Sequence, residues 1–243
     1  MKNREIFQNS KRFIDAYNNI DYALKKRYNL NRSMGFSDLI RKAASLNYTV
    51  RKYEDDLVDY GRLRNAIIHN SDDFVIAEPH DSVVENIEHI EKLLVTPPRA
   101  IDTVATKNVR IIQADKCMRE VITTIAETGF NNIPVYNKQN ELVGVANGQK
   151  ILASFGQFLL SGGKSDVFLD HVQIADMLTS LEKSNYYCVK KVDCTVEEAL
   201  DEFNKNHKLL AILFTKKGGT NELPVAIMTG SNIVEAQRIL EDY

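Results

Sequence analysis

The sequence has no tryptophan, only three cysteines and five prolines, and little charge of either sign in excess. Each shortage excludes something. Cys117, Cys188 and Cys194 are odd in number and lack metal-ligand spacing, which rules out a disulfide framework and a cysteine metal knuckle and predicts reduced thiols in a cytoplasmic protein. A formal net charge of −2 excludes whole-surface attraction to nucleic acid. The longest uninterrupted aliphatic or aromatic run, Leu209 to Phe214, falls far short of the roughly 20 residues that cross a bilayer. The opening MKNREIFQNSKRF carries no apolar signal core, so no membrane partner is expected. There is no GxxxxGK[ST] phosphate loop, no HExxH and no GxSxG elbow. Gly162-Gly163-Lys164-Ser165 lacks the upstream glycine, since position 158 is Phe, and reads as a flexible linker. No metal site is expected.

What the chain does have is 44% hydrophobic and 26% charged residues, the composition of a globular protein. Residues 1 to about 95 read as helical. Ile6, Phe7, Phe13, Ile14 and Tyr17 form one apolar stripe, continued by Ile20, Ala23 and Leu24. Ser37 is placed to cap a helix over Asp38–Leu46, and a third helix is expected over Tyr48–His69. The last starts near His80 or Asp81 and buries Val84, Ile87, Ile90, Leu93 and Leu94. Short connections between such helices predict an antiparallel bundle over 1–97. Thr96-Pro97-Pro98 ends it.

From Arg99 the texture changes to short apolar strands alternating with helices. Strands are expected at Val109–Ile112, Ile133–Tyr136 and Leu142–Ala146, with helices at Lys116–Glu127 and Gln149–Phe158. The order then recurs roughly 80 residues later, the spacing of one supersecondary unit. Its strands are Cys188–Val192, Leu209–Phe214 and Leu223–Met228, and its helices Val196–Lys205 and Ile233–Leu240. The fold class predicted is α+β: the bundle followed by two βαββα repeats packed as a pair over 98–243, the repeats at about 99–160 and 172–243.

The most informative stretch is Glu222–Ala236, ELPVAIMTGSNIVEA. A strand that feeds straight into a helix leaves the first turn's N–H groups free for an anion. Thr229 adds a hydroxyl there, and the Asn232 amide has donors and an acceptor for a sugar diol. The phrase recurs, altered, at Glu141–Ser154, ELVGVANGQKILAS.

These phrases, with Ala126–Tyr136 (AETGFNNIPVY), Asp193–Leu200 (DCTVEEAL) and the lead-in Ile174–Thr179 (IADMLT), resemble tandem cystathionine-β-synthase (CBS) domains over residues 99–243. The resemblance implies adenine-nucleotide clefts between the repeats and a regulatory role. It implies that Thr229 contacts phosphate and that Asn232, where the family often has Asp, contacts ribose. Ser184, Tyr186, Leu210 and Ala211 would flank the base, Ile227 would line its other side, and Asn131 and Asn132 would face the phosphates. In the first copy Asn147 and Lys150 take the corner positions, and Lys150 cannot accept a hydrogen bond, so a single competent cleft around Asn232 is expected. The implied ligands are AMP, ADP, ATP, S-adenosylmethionine or cyclic di-AMP, with no cofactor required. The implied partner is a second copy of the chain, a homodimer.

In the bundle, Leu63–Asn70 reads LRNAIIHN. Its Arg-Asn-x-x-x-His pattern resembles HEPN domains, in many of which it forms a metal-independent ribonuclease site. That resemblance implies Arg64, Asn65 and His69 as catalytic residues and RNA as substrate. His69 would act as acid or base and Arg64 would steady the phosphorane. Asp55, Asp56 and Asp59 precede the motif and give no basic track for RNA. The leading expectation is therefore a nucleotide sensor that is not an enzyme. A gated ribonuclease and a structural dimer with empty clefts are the alternatives.

Overall fold

The computed structural model describes residues 8–68, 77–180 and 186–243. The chain divides into two compact units, Met1–Pro98 with Leu240–Tyr243, and Arg99–Ile239. The architecture is α+β.

The first unit is helical: α1 Gln8–Arg27, α2 Phe36–Ala44, α3 Tyr48–Lys52, α4 Glu54–Ile67 and α5 Asp81–Val95. Each helix turns its periodic apolar residues inward. Phe13, Ile20 and Leu24 of α1 meet Leu39 and Ile40 of α2, Leu57 and Ile67 of α4, and Val84, Ile87 and Ile90 of α5 in one core. At about 25 cal/mol per Å² of apolar surface, such side chains supply most of the force holding the helices together. α4 and α5 are antiparallel, pairing Tyr53 with His89 and Tyr60 with Asn86. α1 and α5 instead rise together, through Asn9–Asp81, Arg12–Glu88 and Asn19–Glu91.

Two local expectations need correction. The stretch expected as one helix from Tyr48 is broken at Tyr53, whose φ of −109° and ψ of 22° leave the helical region. Glu54, Asp55 and Asp56 then occupy the first turn of α4, where the helix dipole favours negative charge. The expected Ser37 cap is not made: α2 starts two residues earlier than expected, at Phe36, with Gly35 as N-cap and no side-chain cap bond. The predicted start of α5 carries a real cap, since His80 accepts the Ser82 N–H.

The second unit opens with α6 Ala100–Thr103 and β1 Thr106–Lys107. The first repeat follows as β2 Ile112–Gln113, α7 Met118–Thr128, β3 Asn132–Tyr136, β4 Leu142–Asn147 and α8 Gly148–Leu160. Two further helices, α9 Ser165–His171 and α10 Ile174–Ser180, connect to the second repeat. That repeat is β5 Tyr187–Lys191, α11 Val196–Lys205, β6 Ala211–Thr215, β7 Ala226–Thr229, a 3-10 turn Gly230–Asn232, and α12 Ile233–Asp242.

The two repeats share one topology. β2 is parallel to β3, which is antiparallel to β4; β5 is parallel to β6, which is antiparallel to β7. Helix starts match as well. Thr195 and Glu198 form a reciprocal capping box on α11, and the Cys117 N–H donates to Glu120 at the start of α7. β1, which precedes the first repeat, pairs antiparallel with β7 of the second, Thr106 opposite Ile227 and Lys107 opposite Ala226.

The repeats pack on each other through Val145 of β4 against Ala211, Leu213 and Ile227. The Leu142 N–H donates to the Thr220 carbonyl at 2.8 Å, and the Tyr136 hydroxyl to that of Glu222 at 3.2 Å. The expected flexible linker at Gly162–Ser165 is a tight turn instead. Gly162 has φ +87°, and a Cβ at Gly163 would lie 2.2 Å from the Phe158 ring, so glycine is required for close approach. The turn reverses the chain so that Phe168 of α9 stacks on Phe155 and Phe158 at 5.0 and 5.4 Å.

Candidate functional site

β7 ends at Thr229, and its corner is closed by a side chain three residues on. Asn232 Oδ1 accepts the Thr229 N–H at 2.8 Å, and Asn232 Nδ2 donates to the Val104 carbonyl at 3.3 Å. The Thr229 hydroxyl lies 2.8 Å from that of Ser231. In the first repeat Asn147 holds the equivalent register, opposite Asn132 as Thr229 is opposite Ala211. Asn147 Oδ1 accepts the Lys150 N–H at 3.1 Å, and Asn147 Nδ2 donates to Asn132 Oδ1 at 2.7 Å.

Between these corners lies a cleft of about 590 Å³. Both repeats contribute to it. Gly129–Asn132, Asn147 and Gln149 come from the first; Leu209, Leu210, Ile227 and Thr229–Ser231 come from the second. Thr106 and Asn108–Arg110 close one side. The apolar part, Val109, Phe130, Leu209, Leu210 and Ile227, suits a flat ring, and the rest is amide, hydroxyl and backbone. No carboxylate lines the cleft, and Arg110 is the one charged lining residue among the described residues. The Arg110 side chain is exposed and has no hydrogen bond or ion pair among the described residues. Such a cation beside open backbone N–H groups favours an anionic ligand.

Of the residues expected at a ligand, Asn131, Asn132, Leu210, Ile227 and Thr229 line this cleft together. Three others stand elsewhere. Asn232 does not line it, because both ends of its amide are engaged with Thr229 and Val104. Ala211 is fully buried in β6. Tyr186 accepts the Leu210 N–H through its carbonyl, and its ring sits under the Lys150 ammonium, 3.3 Å from the centroid. Ser184 lies outside the described residues, as does His69.

Arg110, Asn108 and Gln149 were not foreseen at the cleft. Asn108 has φ +58°, a left-handed conformation that Asn adopts more readily than most residues. It turns the chain directly after β1. Because β1 joins the second repeat's sheet, the segment 106–110 reaches the Thr229 corner. The strand expected at Val109–Ile112 would take in Arg110, whereas β2 begins only at Ile112 and leaves Arg110 ahead of it.

In the helical unit, Arg64 is drawn inward. Its guanidinium carbon lies 5.9 Å from the Tyr17 ring centroid, its Nη1 is 3.4 Å from Asn65 Oδ1, and its Nε is buried without a partner among the described residues. Burial pushes the Tyr17 phenol up to about 12, partly countered by the Arg64 charge. Asn65 itself is exposed.

No protein-family model and no curated protein matches the chain. Solved structures resemble part of it. The structure of CbpB in complex with c-di-AMP is 16% identical over 65% of this chain and 95% of its own, with a TM-score of 0.47. The CBS domain of the bacterial CNNM/CorC family Mg2+ transporter in complex with ATP is 18% identical over 62% and 92%, with a TM-score of 0.43. A CBS domain protein from Streptococcus pneumoniae is 16% identical over 59% and 90%, with a TM-score of 0.44.

Proposed function

We propose that residues 99–239 form a CBS-type pair that binds an adenine nucleotide in the cleft between its repeats, and that the chain is a regulatory protein. The observation that carries this reading is the cleft itself: about 590 Å³, built from equivalent corners of two repeats, lined by no carboxylate among the described residues, with Arg110 unpaired at its side. Apolar walls from Ile227, Leu210 and Phe130 fit a purine, and the Thr229–Ser231 turn offers N–H and hydroxyl groups to a phosphate.

A ligand touching both repeats favours one packing of them over another, and that difference in binding free energy is the signal. Relay to the helical unit belongs to the same proposal, and so does assembly as a homodimer. Exposed Leu152 and Leu160 on α8 and Val234 on α12 support a further apolar contact.

The test is a thermal-shift screen against AMP, ADP, ATP, S-adenosylmethionine and cyclic di-AMP. A ligand at about 100 times its Kd stabilises the folded state by roughly 2.7 kcal/mol. The reading requires a shift with at least one of them that Arg110→Ala reduces. Flat curves throughout would remove the nucleotide-sensor account.

A further inference from the structure

The amides at the two corners of the cleft, Asn147 with Asn132 and Asn232, have fixed orientations, and these decide what they offer a ligand. Of the two ends of an asparagine amide only the oxygen accepts, so the Lys150 N–H identifies Asn147 Oδ1. Asn147 Nδ2 is then the atom facing Asn132, and it occupies Asn132 Oδ1 at 2.7 Å. Asn132 keeps its own Nδ2, a donor, and the second lone pair of its Oδ1. The same reasoning fixes Asn232, whose oxygen takes the Thr229 N–H and whose nitrogen donates to Val104. Arg110 adds only donors. No Asp or Glu among the described residues answers them in the lining.

A free ribose 2′,3′-diol brings hydroxyl donors, and the side chain that suits a diol is a carboxylate. Here, among the described residues, the charged acceptor is missing and an unpaired cation, Arg110, is present. Phosphoryl oxygens only accept, and their bonds to an arginine or an amide N–H are charge-assisted.

We propose that the cleft prefers a nucleotide phosphorylated on a ribose 2′- or 3′-hydroxyl as well as at the 5′ position, the class of adenosine 3′,5′-bisphosphate and 3′,5′-linked cyclic dinucleotides. This rests on the cleft being an adenine-nucleotide site. A mononucleotide with a free diol brings no second phosphate to Arg110 and finds no carboxylate for its hydroxyls among the described residues.

The experiment is calorimetric titration of the full chain, wild type and Asn132→Asp, with AMP, 2′-deoxy-AMP, adenosine 3′,5′-bisphosphate and cyclic di-AMP. The bisphosphate or the cyclic dinucleotide should bind at least about tenfold tighter than AMP, and 2′-deoxy-AMP within about threefold of AMP. Asn132→Asp keeps an oxygen facing Asn147 and replaces the donor with a carboxylate oxygen. It should weaken the bisphosphate about tenfold or more beyond any loss it causes for AMP. Arg110→Ala, at an exposed position, provides a second variant that should penalise the bisphosphate more than AMP.

AMP binding as tightly as both phosphorylated ligands would overturn the preference while leaving the nucleotide site standing. So would a tenfold loss on removing the 2′-hydroxyl. If no nucleotide binds, the cleft is not a nucleotide site and the preference falls with it.

Discussion

The Asn232 side-chain oxygen accepts the backbone N–H of Thr229 at 2.8 Å, so the residue expected to meet a sugar instead holds the corner beside the cleft. Its nitrogen, tied to Val104, anchors the same corner to the segment that leads into β1. Asn232 acts on the cleft through the backbone.

Asn232→Ala should therefore cost about 1 kcal/mol of stability, in the range of a lost N-cap. Asn232→Asp keeps the acceptor and should recover most of that loss in urea denaturation. Nucleotide affinity in the Asp variant should stay within a few-fold of wild type. Undiminished stability of Asn232→Ala together with abolished binding would make Asn232 a direct ligand contact after all.

Gly148 opens α8 directly behind Asn131, and a Cβ there would lie 2.5 Å from Asn131 Oδ1. Asn131 is exposed, so its side chain can move at little cost to the fold. Gly148→Ala should leave the melting temperature within a few degrees and weaken nucleotide binding by displacing Asn131. A variant that melts far lower would show that the contact is structural.

Burial pushes the Cys188 thiol up to about 11 and the Cys194 thiol up to about 12. The Tyr136 phenol is likewise raised to about 12, mainly by burial. In the unfolded chain these groups ionise at about 8.5 for a thiol and about 10 for a phenol. Stability gained by keeping them neutral is thus complete below those values and is lost as pH rises from about 9 toward 12. Denaturation midpoints should fall over that interval. At neutral pH, Cys188 and Cys194 should react with a thiol reagent far more slowly in the folded chain than after unfolding; equal rates would contradict their burial.

His89 titrates in the opposite sense. Burial first, then the charges of Lys52 and Lys92, hold its pKa below the ordinary value, so the fold favours the neutral ring. That contribution is present above about pH 6.5 and is lost as pH falls through it. The helical unit of wild type should lose stability between pH 7 and 5, and His89→Phe should flatten the slope. Hydrogen exchange of α5 amides measures this directly.

Much of this was readable from the residues because it depends on local pattern. Leu209–Phe214 is unbroken apolar sequence and forms the interior of the second sheet, with Ala211 to Phe214 all buried in β6. The Thr229 corner was legible because an apolar run ends there at Gly-Ser-Asn. What escaped notice was set by distant partners. Thr106 and Lys107 are exposed and carry no strand signal; they are a strand only because β7 lies beside them. Arg110 reached the cleft by that pairing. The turn at Gly162–Gly163 looked like a linker because its meaning lies in the Phe158 ring that a Cβ would strike.

The most direct measurement is photolabelling of the full chain with an 8-azidoadenine nucleotide, followed by peptide mapping. Insertion should fall in the peptides containing Phe130–Asn132 and Leu209–Leu210 or Ile227–Ser231, should be competed by unlabelled nucleotide, and should drop in Arg110→Ala. Competable label found only in peptides of residues 8–98, or none at all, would contradict the cleft as the nucleotide site.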